Sequence, residues 1–510
     1  MKKKSVFTSL VINSISYARS VKGLKEAAVI CGVLILANFS TLVLSYGLTD
    51  DYVQANTFSA GQGGIYLRKM FLSVGRPIDG LLKEALFSRV QYIRELAMIR
   101  AIGLIGLLAF VLTLFGILRK VTPLRMTEVS FLVILLATVP SLSLYVAWAN
   151  YFDAPYGLIL ASVSAYLVKD ILNRNTTRIA QIVSVSRRVG VSALLLFCSS
   201  LIHQSVAMYY WVIVACILFL NNGLISRQKL TQFLVYWVNW FLAMAASFVL
   251  MKSFATLEPA AASRGSLVSD IAGKIEWFIT VVLVRSLNFN LLSESKLLAA
   301  LLSAIIILGL MVYFQKGIVS KLAGLALFAI FLGLSYFPNL VVVESWASYR
   351  TLIAITSALV IFLFIALRSL LQRWTPGRQR LLFDSLLCIW AVTSVGLYSY
   401  HQIRDITFPQ SVEVRFLRYR LQSLREADFN KIYLIRASWE DSLSKANYDE
   451  FGLPSTFPEW APQHIVELLL REIDPGKSYE ILVFPPRHIV EPEKGTLLID
   501  MAEIRYLRLR

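Results

Sequence analysis

The sequence predicts an α-helical polytopic membrane protein of about 11 transmembrane helices that ends in a small extracytoplasmic α/β domain. Three observations carry that prediction. Hydrophobic residues make up 57% of the 510 and charged residues only 16%, too few charges to cover a soluble surface of this size. Many apolar runs approach or exceed the ~18–20 residues needed to cross roughly 30 Å of hydrocarbon as helix. The composition then changes near residue 401, where the apolar runs stop. A soluble enzyme, a disordered chain, a disulfide scaffold and a collagen-like rod are excluded.

The net charge of +18 divides unevenly. Residues 401–510 hold 15 Lys and Arg against 17 Asp and Glu, a balance of −2, which leaves +20 on residues 1–400. Positive charge confined to the membrane half points to loop topology and anionic lipid headgroups, with no nucleic-acid partner. Cys31, Cys198, Cys216 and Cys388 all lie in apolar runs, with no CxxC, and read as small buried hydrophobes.

Residues 1–25 read as a cytoplasmic amphipathic segment with the basic patch Lys2–Lys4. The apolar core begins too late for a cleaved signal peptide, so Glu26–Tyr46 is expected to be the first span. The other ten spans are expected at 97–118, 127–148, 156–173, 189–203, 205–224, 231–251, 296–315, 322–339, 351–370 and 381–400. The runs 189–203 and 205–224 together exceed one helix, and a tight turn at His203-Gln204 resolves them.

With the N-terminus inside, the inside loops 119–126, 169–188, 225–230, 316–321 and 371–380 are all basic. The outside loop 149–155 has no Lys or Arg, and 340–350 has Arg350 alone. This charge bias places the tail outside. Ile275–Leu292, interrupted by Glu276 and Arg285, reads as an amphipathic helix on the outer interface. In the tail, 401–510, strands are expected at 431–436, 479–484 and 496–501, and helices at 413–426 and 463–472. No GxGxxG or P-loop is present, so nucleotide binding has no support.

The candidate chemistry collects in the outer loops. The first, 47–96, opens with Asp50-Asp51-Tyr52 where span one leaves the bilayer. A polar loop start explains it without chemistry. A carboxylate held beside an acceptor hydroxyl would instead serve as a general base, tuned or oriented by its acidic neighbour. The pair could also hold Mg²⁺ or Mn²⁺, a reading weakly supported because no third ligand stands nearby, and no other cofactor is indicated. Gly75-Arg76-Pro77 puts Arg76 at the height of a lipid phosphate, where guanidinium forms bidentate contacts. His203-Gln204 either satisfies a turn or lines a sugar cavity. Arg350 either snorkels or binds a phosphate or carboxylate. Trp148, Trp346 and Trp374 read as an interfacial belt.

Together these residues resemble the bacterial and phage O-antigen glucosyltransferases of the GtrII type, which are GT-C fold enzymes. The resemblance rests on the Asp pair after the first span, the Gly-Arg-Pro late in the same loop, a Gln at a short outside turn, an Arg before a late span and Glu450-Phe-Gly-Leu-Pro-Ser455 in the tail. It implies a GT-C-like enzyme of the bacterial inner membrane. Such an enzyme moves a hexose, glucose in that family, from a polyprenyl-phosphate donor to a lipid-linked or surface glycan acceptor on the outer side. Asp50 or Asp51 would be the base and Arg76 would contact phosphate, with Arg350, Gln204, His203 and Tyr52 among the substrate-binding candidates. His203 departs from the family pattern, which has Tyr there. A transporter or flippase of lipid-linked sugars is the alternative, and a membrane scaffold a third. A transporter predicts broken, charged helices at the midplane in paired repeats, and no internal repeat is found.

Overall fold

The computed structural model describes residues 21–172, 179–220, 227–255, 266–314, 317–374, 377–425, 429–444 and 450–509. Most of the expected amphipathic segment 1–25 lies outside the described residues. Val21 to Lys25 begin the first helix, Val21–Ala37, which therefore starts earlier than the apolar run alone indicated.

Each of the eleven apolar runs is helical over most of its length. Among the described residues, six helices are long and apolar enough to cross a membrane singly. A seventh crossing forms if Met126–Ala137 and Pro140–Ala147, bent by 61° against each other, count as one. Pro140 opens the second of that pair, where its missing N–H and fixed φ suit the first helical turn and a preceding bend. The first crossing is likewise broken at Asn38, and the apolar stretch after His203 forms the short helices Gln204–Ala207 and Tyr209–Phe219. Ile353–Trp374 has 22 residues, roughly 33 Å of helix at ~1.5 Å per residue, and is largely buried by its neighbours, which makes it a central column of the bundle. The chain is a multi-pass membrane protein.

The stretch expected to lie on the interface is helical from Ile271 to Leu287, through a π-turn at Phe278–Val282. Its buried Lys274 donates to the Glu344 carbonyl at 2.7 Å, and Arg285 donates to the Ala347 carbonyl at 2.8 Å, so this helix holds the loop that leads to Arg350.

The last span does not stop at the membrane boundary. Gln379–His401, a π-turn at Gln402–Thr407 and Phe408–Gln422 form one continuous helical run. Beyond it lies a three-stranded parallel sheet in the order β2-β1-β3, with β1 Lys431–Ile435, β2 Glu480–Phe484 and β3 Thr496–Asp500. Lys431 is opposite Glu480 on one side and Thr496 on the other. Parallel strands need crossover connections, and the amphipathic helix Pro462–Ile473 supplies one between β1 and β2. Its Ile465, Val466, Leu469 and Ile473 pack with Ile432, Leu434 and Ile499 of the sheet.

Candidate functional site

The segment after the first crossing is held by Arg100, which is fully buried four residues into Leu96–Val121. Its guanidinium donates to the carbonyls of Thr41 (2.7 Å), Leu44 (3.0 Å) and Tyr46 (2.6 Å) and lies 4.0 Å from the Tyr46 ring. Three carbonyls and a ring face satisfy a cation that would otherwise be costly to bury. The fixed segment delivers the chain to the helix Thr49–Ser59, which carries the acidic pair in its first turn.

The two carboxylates of that pair have different surroundings. Asp51 is fully buried; one oxygen accepts from the Leu48 N–H at 2.9 Å and the other from the Asn150 N–H at 2.7 Å. It caps its own helix and ties it to the loop 149–155. Burial pushes its carboxyl up to about 7, against the pull of the Leu48 N–H, Arg100 and the Asn150 N–H. Asp50 is partly exposed, and its carboxylate accepts from the Trp460 indole N–H at 3.3 Å. Tyr52 is also fully buried, its hydroxyl accepting from the Gly47 N–H at 2.8 Å and donating to the Gly47 carbonyl at 3.0 Å. Asp51 and Tyr52 thus serve the shape of the loop. The structure separates them from Asp50, which the sequence could not do.

Arg76 sits at the end of the left-handed turn at Gly75 (φ +73°), just before Pro77–Phe87. A Cβ on Gly75 would lie 2.9 Å from Met251, so glycine is needed there for both space and dihedral. Arg76 donates through Nε to Gln204 Oε1 at 2.9 Å, and Gln204 Nε2 donates back to the Val74 carbonyl at 3.0 Å. The role of Gln204 is therefore to aim Arg76. Arg350 pairs with Glu450 at 3.1 Å and stacks over Trp148 and Tyr151, at 5.4 and 5.7 Å from the ring centroids. Trp148 is only 4% exposed, so it belongs to this cluster and not to a lipid-facing belt, whereas Trp346 and Trp374 are exposed.

Tyr151 is the common neighbour. Burial raises its hydroxyl; Arg350, Arg76 and Lys83 oppose that, and Asp50 adds to it. The same three cations surround His203, whose buried ring lies 5.8 Å from that of Tyr151 and whose Nδ1 meets no hydrogen-bond partner among the described residues. Tyr66, from the first outer loop, is raised by burial and by both Asp50 and Asp79. Arg76, Arg350, His203 and Gln204 thus meet around Tyr151 from three separate stretches of chain, and the tail loop 450–461 links this locus to Asp50.

Sequence reasoning missed several members. Lys83 pairs with Asp79 at 2.6 Å, both buried, one helical turn apart in Pro77–Phe87. Asp153 is fully buried beside them; burial and the neighbouring Asp79 raise its carboxyl well above the ordinary range, against the pull of Lys83. An Asp and a Lys four apart on the largely apolar helix Pro77–Phe87 were a usable signal. So was Asp153 as the single charge in its loop. Trp460 carries no signal until the tail docks, and Glu450, though it opens the tail motif, gives no hint of its pairing with Arg350. Among the described residues, Lys83 and Arg350 have carboxylate partners and Arg76 has none.

The tail builds one wall. Residues 450–461 run from Glu450 at Arg350 to Trp460 at Asp50. Between them Ser455 Oγ accepts from the Thr49 N–H at 3.1 Å, so a tail residue takes the first free donor of the acidic helix. Glu413 braces this loop by accepting from the Ser455 and Thr456 N–H groups at 2.8 and 2.9 Å. Further along, Asn56 bonds to His464 at 3.0 Å, and Arg471 donates to Ser59 at 2.8 Å. No group of three or more His, Cys, Asp or Glu side chains among the described residues is placed to hold a metal ion. The positive charge placed here by side chains is that of Arg76, Lys83 and Arg350.

No family model and no curated protein sequence matches the chain. Among solved structures it is similar to an oligosaccharyltransferase of Archaeoglobus fulgidus tethered with an acceptor peptide, at 10% identity and a TM-score of 0.46, covering 90% of this chain and 69% of that one. The apo form of that enzyme gives 11% identity and a TM-score of 0.44 with the same coverage. Its complex with an inhibitory peptide and a dolichol-phosphate gives 11% and 0.42, again with that coverage. These values describe a distant likeness. Fold and side chains together define a polytopic helical membrane protein with a cationic cluster and one accessible carboxylate at the end of the bundle that carries the α/β tail.

Proposed function

We propose that the chain is a GT-C-like glycosyltransferase of the bacterial cytoplasmic membrane. It would move a hexose, glucose by the family resemblance, from a polyprenyl-phosphate carrier to a hydroxyl of O-antigen or a related glycan. The N-terminus is cytoplasmic in this reading, and the site and tail are extracytoplasmic. The observation that carries it is the placement of Lys83 and Arg350 over the Tyr151 ring, 5.6 and 5.7 Å from its centroid, with Arg76 held by Gln204 next to His203 and Asp50 in the first turn of the acidic helix.

The chemistry follows from that arrangement. The donor sugar is already activated, because its anomeric carbon bears a phosphate leaving group. The acceptor oxygen forms a bond to that carbon as the carbon–oxygen bond to phosphate breaks, with inversion. The electron pair of the broken bond goes to the phosphate, where Arg76 and Arg350 meet it. Asp50 takes the acceptor proton. Asp50 suits this step because its carboxylate is reachable, while both Asp51 oxygens are already engaged by backbone N–H groups. Cations fixed before the reaction stabilise the charge as it develops, with little reorganisation. No nucleotide is required.

The test is transfer in proteoliposomes. Purified protein, radiolabelled polyprenyl-phosphate glucose and acceptor glycan should yield labelled glycan and free polyprenyl phosphate, without nucleotide. Movement of intact lipid-linked sugar across the bilayer, with no transfer, would replace this reading with the flippase.

A further inference from the structure

Trp460 combines two properties that nothing in its own domain explains. It is 60% exposed although it belongs to a polar, water-facing domain, and its indole N–H donates to Asp50 of the membrane half at 3.3 Å. The ring stands in the turn just before Pro462–Ile473, with Pro458 and Ala461 buried on either side, so the backbone is anchored while the ring is left open. The turn is further fixed by Arg436, which donates to the Phe457 carbonyl at 2.9 Å and pairs with Glu459 at 3.2 Å. An open aromatic face held rigidly at a partly exposed carboxylate is not packing.

We infer that Trp460 is the platform on which the acceptor sugar stacks, an acceptor subsite supplied by the tail; this rests on the glycosyl-transfer reading of the same locus. A pyranose has an apolar face of C–H groups and an equatorial belt of hydroxyls. Laid on an indole, it buries the first and presents the second at the ring edge. The edge of Trp460 that carries the N–H is the edge that meets Asp50, so a hydroxyl of a stacked sugar reaches the carboxylate that would take its proton. A rigid aromatic offers this area at low cost in side-chain entropy, which suits a subsite that must bind and release a polymer. The donor side has its own residues in Arg76 and Arg350, so the two substrates are held by different halves of the chain.

The experiment is steady-state transfer in proteoliposomes with Trp460→Ala, Trp460→Phe and, as a control for an exposed tryptophan elsewhere, Trp374→Ala. The expected result is a rise of about tenfold in KM for the acceptor with Trp460→Ala, the KM for the donor staying within about twofold. Trp460→Phe keeps a stacking face and should recover acceptor KM to within about threefold. Unchanged thermal melting of both variants is expected from the exposure of the ring. Equal shifts in both KM values, or an unmoved acceptor KM with Trp460 fluorescence quenched by brominated lipid, would overturn the platform; the second would make the ring a membrane anchor. Loss of transfer in Asp50→Asn with an unaffected acceptor KM in Trp460→Ala would sink the platform alone. Full transfer in Asp50→Asn would sink the glycosyl-transfer reading itself.

Discussion

Replacing each aspartate of the pair by asparagine should produce two unrelated defects. Asp51→Asn alters a buried group whose two oxygens accept from Leu48 N–H and Asn150 N–H. An amide keeps one oxygen and turns an NH₂ toward the second backbone donor. One buried N–H is left without an acceptor, a penalty of about 1–3 kcal/mol. Its pH dependence has a definite sign. The Asp51 carboxyl is raised by burial from 3.8 to about 7, so the folded chain holds the proton more tightly than the unfolded one. The wild-type group therefore contributes most below pH ~4, loses about 1.4 kcal/mol per pH unit as pH rises toward ~7, and is constant above. Asparagine does not titrate, so the penalty should be larger at pH 5 than at pH 8. Asp50→Asn, by contrast, changes a carboxylate held by one indole N–H, and should leave stability within about 0.5 kcal/mol. Its effect should be on rate, a loss of about 10²–10⁴-fold in transfer. Thermal melting in detergent at pH 5 and pH 8, together with transfer assays on folded protein, separates the two. A fully stable Asp51→Asn that is as inactive as Asp50→Asn would refute the division of roles.

Three further outcomes are expected. Arg76→Ala removes the cation that has no carboxylate partner among the described residues and should weaken donor binding by about 10–100-fold, the worth of a charge-assisted contact, with little change in melting; titration with the polyprenyl-phosphate sugar checks it. Lys83→Met leaves Asp79 unpaired beside Asp153 and should destabilise the fold by about 3–5 kcal/mol, read by chemical unfolding, unless Asp79 is also replaced by Asn. In a cysteine-free background, Ile489→Cys, at a site 93% exposed in the tail, should be labelled by an impermeant reagent from outside, and Arg378→Cys spared; the reverse pattern would invert the topology.

Hydrophobic runs made the helical bundle legible, because crossing a bilayer imposes a length and a composition on each segment. The strands of the tail were equally readable: β1, β2 and β3 fall within a residue of their expected bounds. Breaks inside crossings were harder to see. The bend before Pro140 and the interruption at Asn38 leave the apolar run intact, since a helix can break without changing its hydropathy. At the site, the sequence could name Asp50 and Asp51 but not tell them apart. Their difference lies in the Asn150 N–H, 99 residues away, and in the Trp460 indole, 410 away. The pairing of Glu450 with Arg350, 100 residues earlier in the chain, was hidden for the same reason, as the two are close only in space.

The loop 450–461 also sets a timetable. Arg350 and Trp460 are separated by 110 residues of chain, and a ribosome adding about 5–20 residues per second needs on the order of 5–20 s to make them. Through that interval the membrane half is inserted while Arg350 lacks Glu450, Asp50 lacks Trp460, and the acidic helix lacks Ser455 at its first N–H. A nascent chain thus sits in the bilayer with its polar centre unassembled until the tail docks. A product terminated before residue 450 would lack the Glu450, Ser455 and Trp460 contacts altogether, and on the glycosyl-transfer proposal it should be inactive.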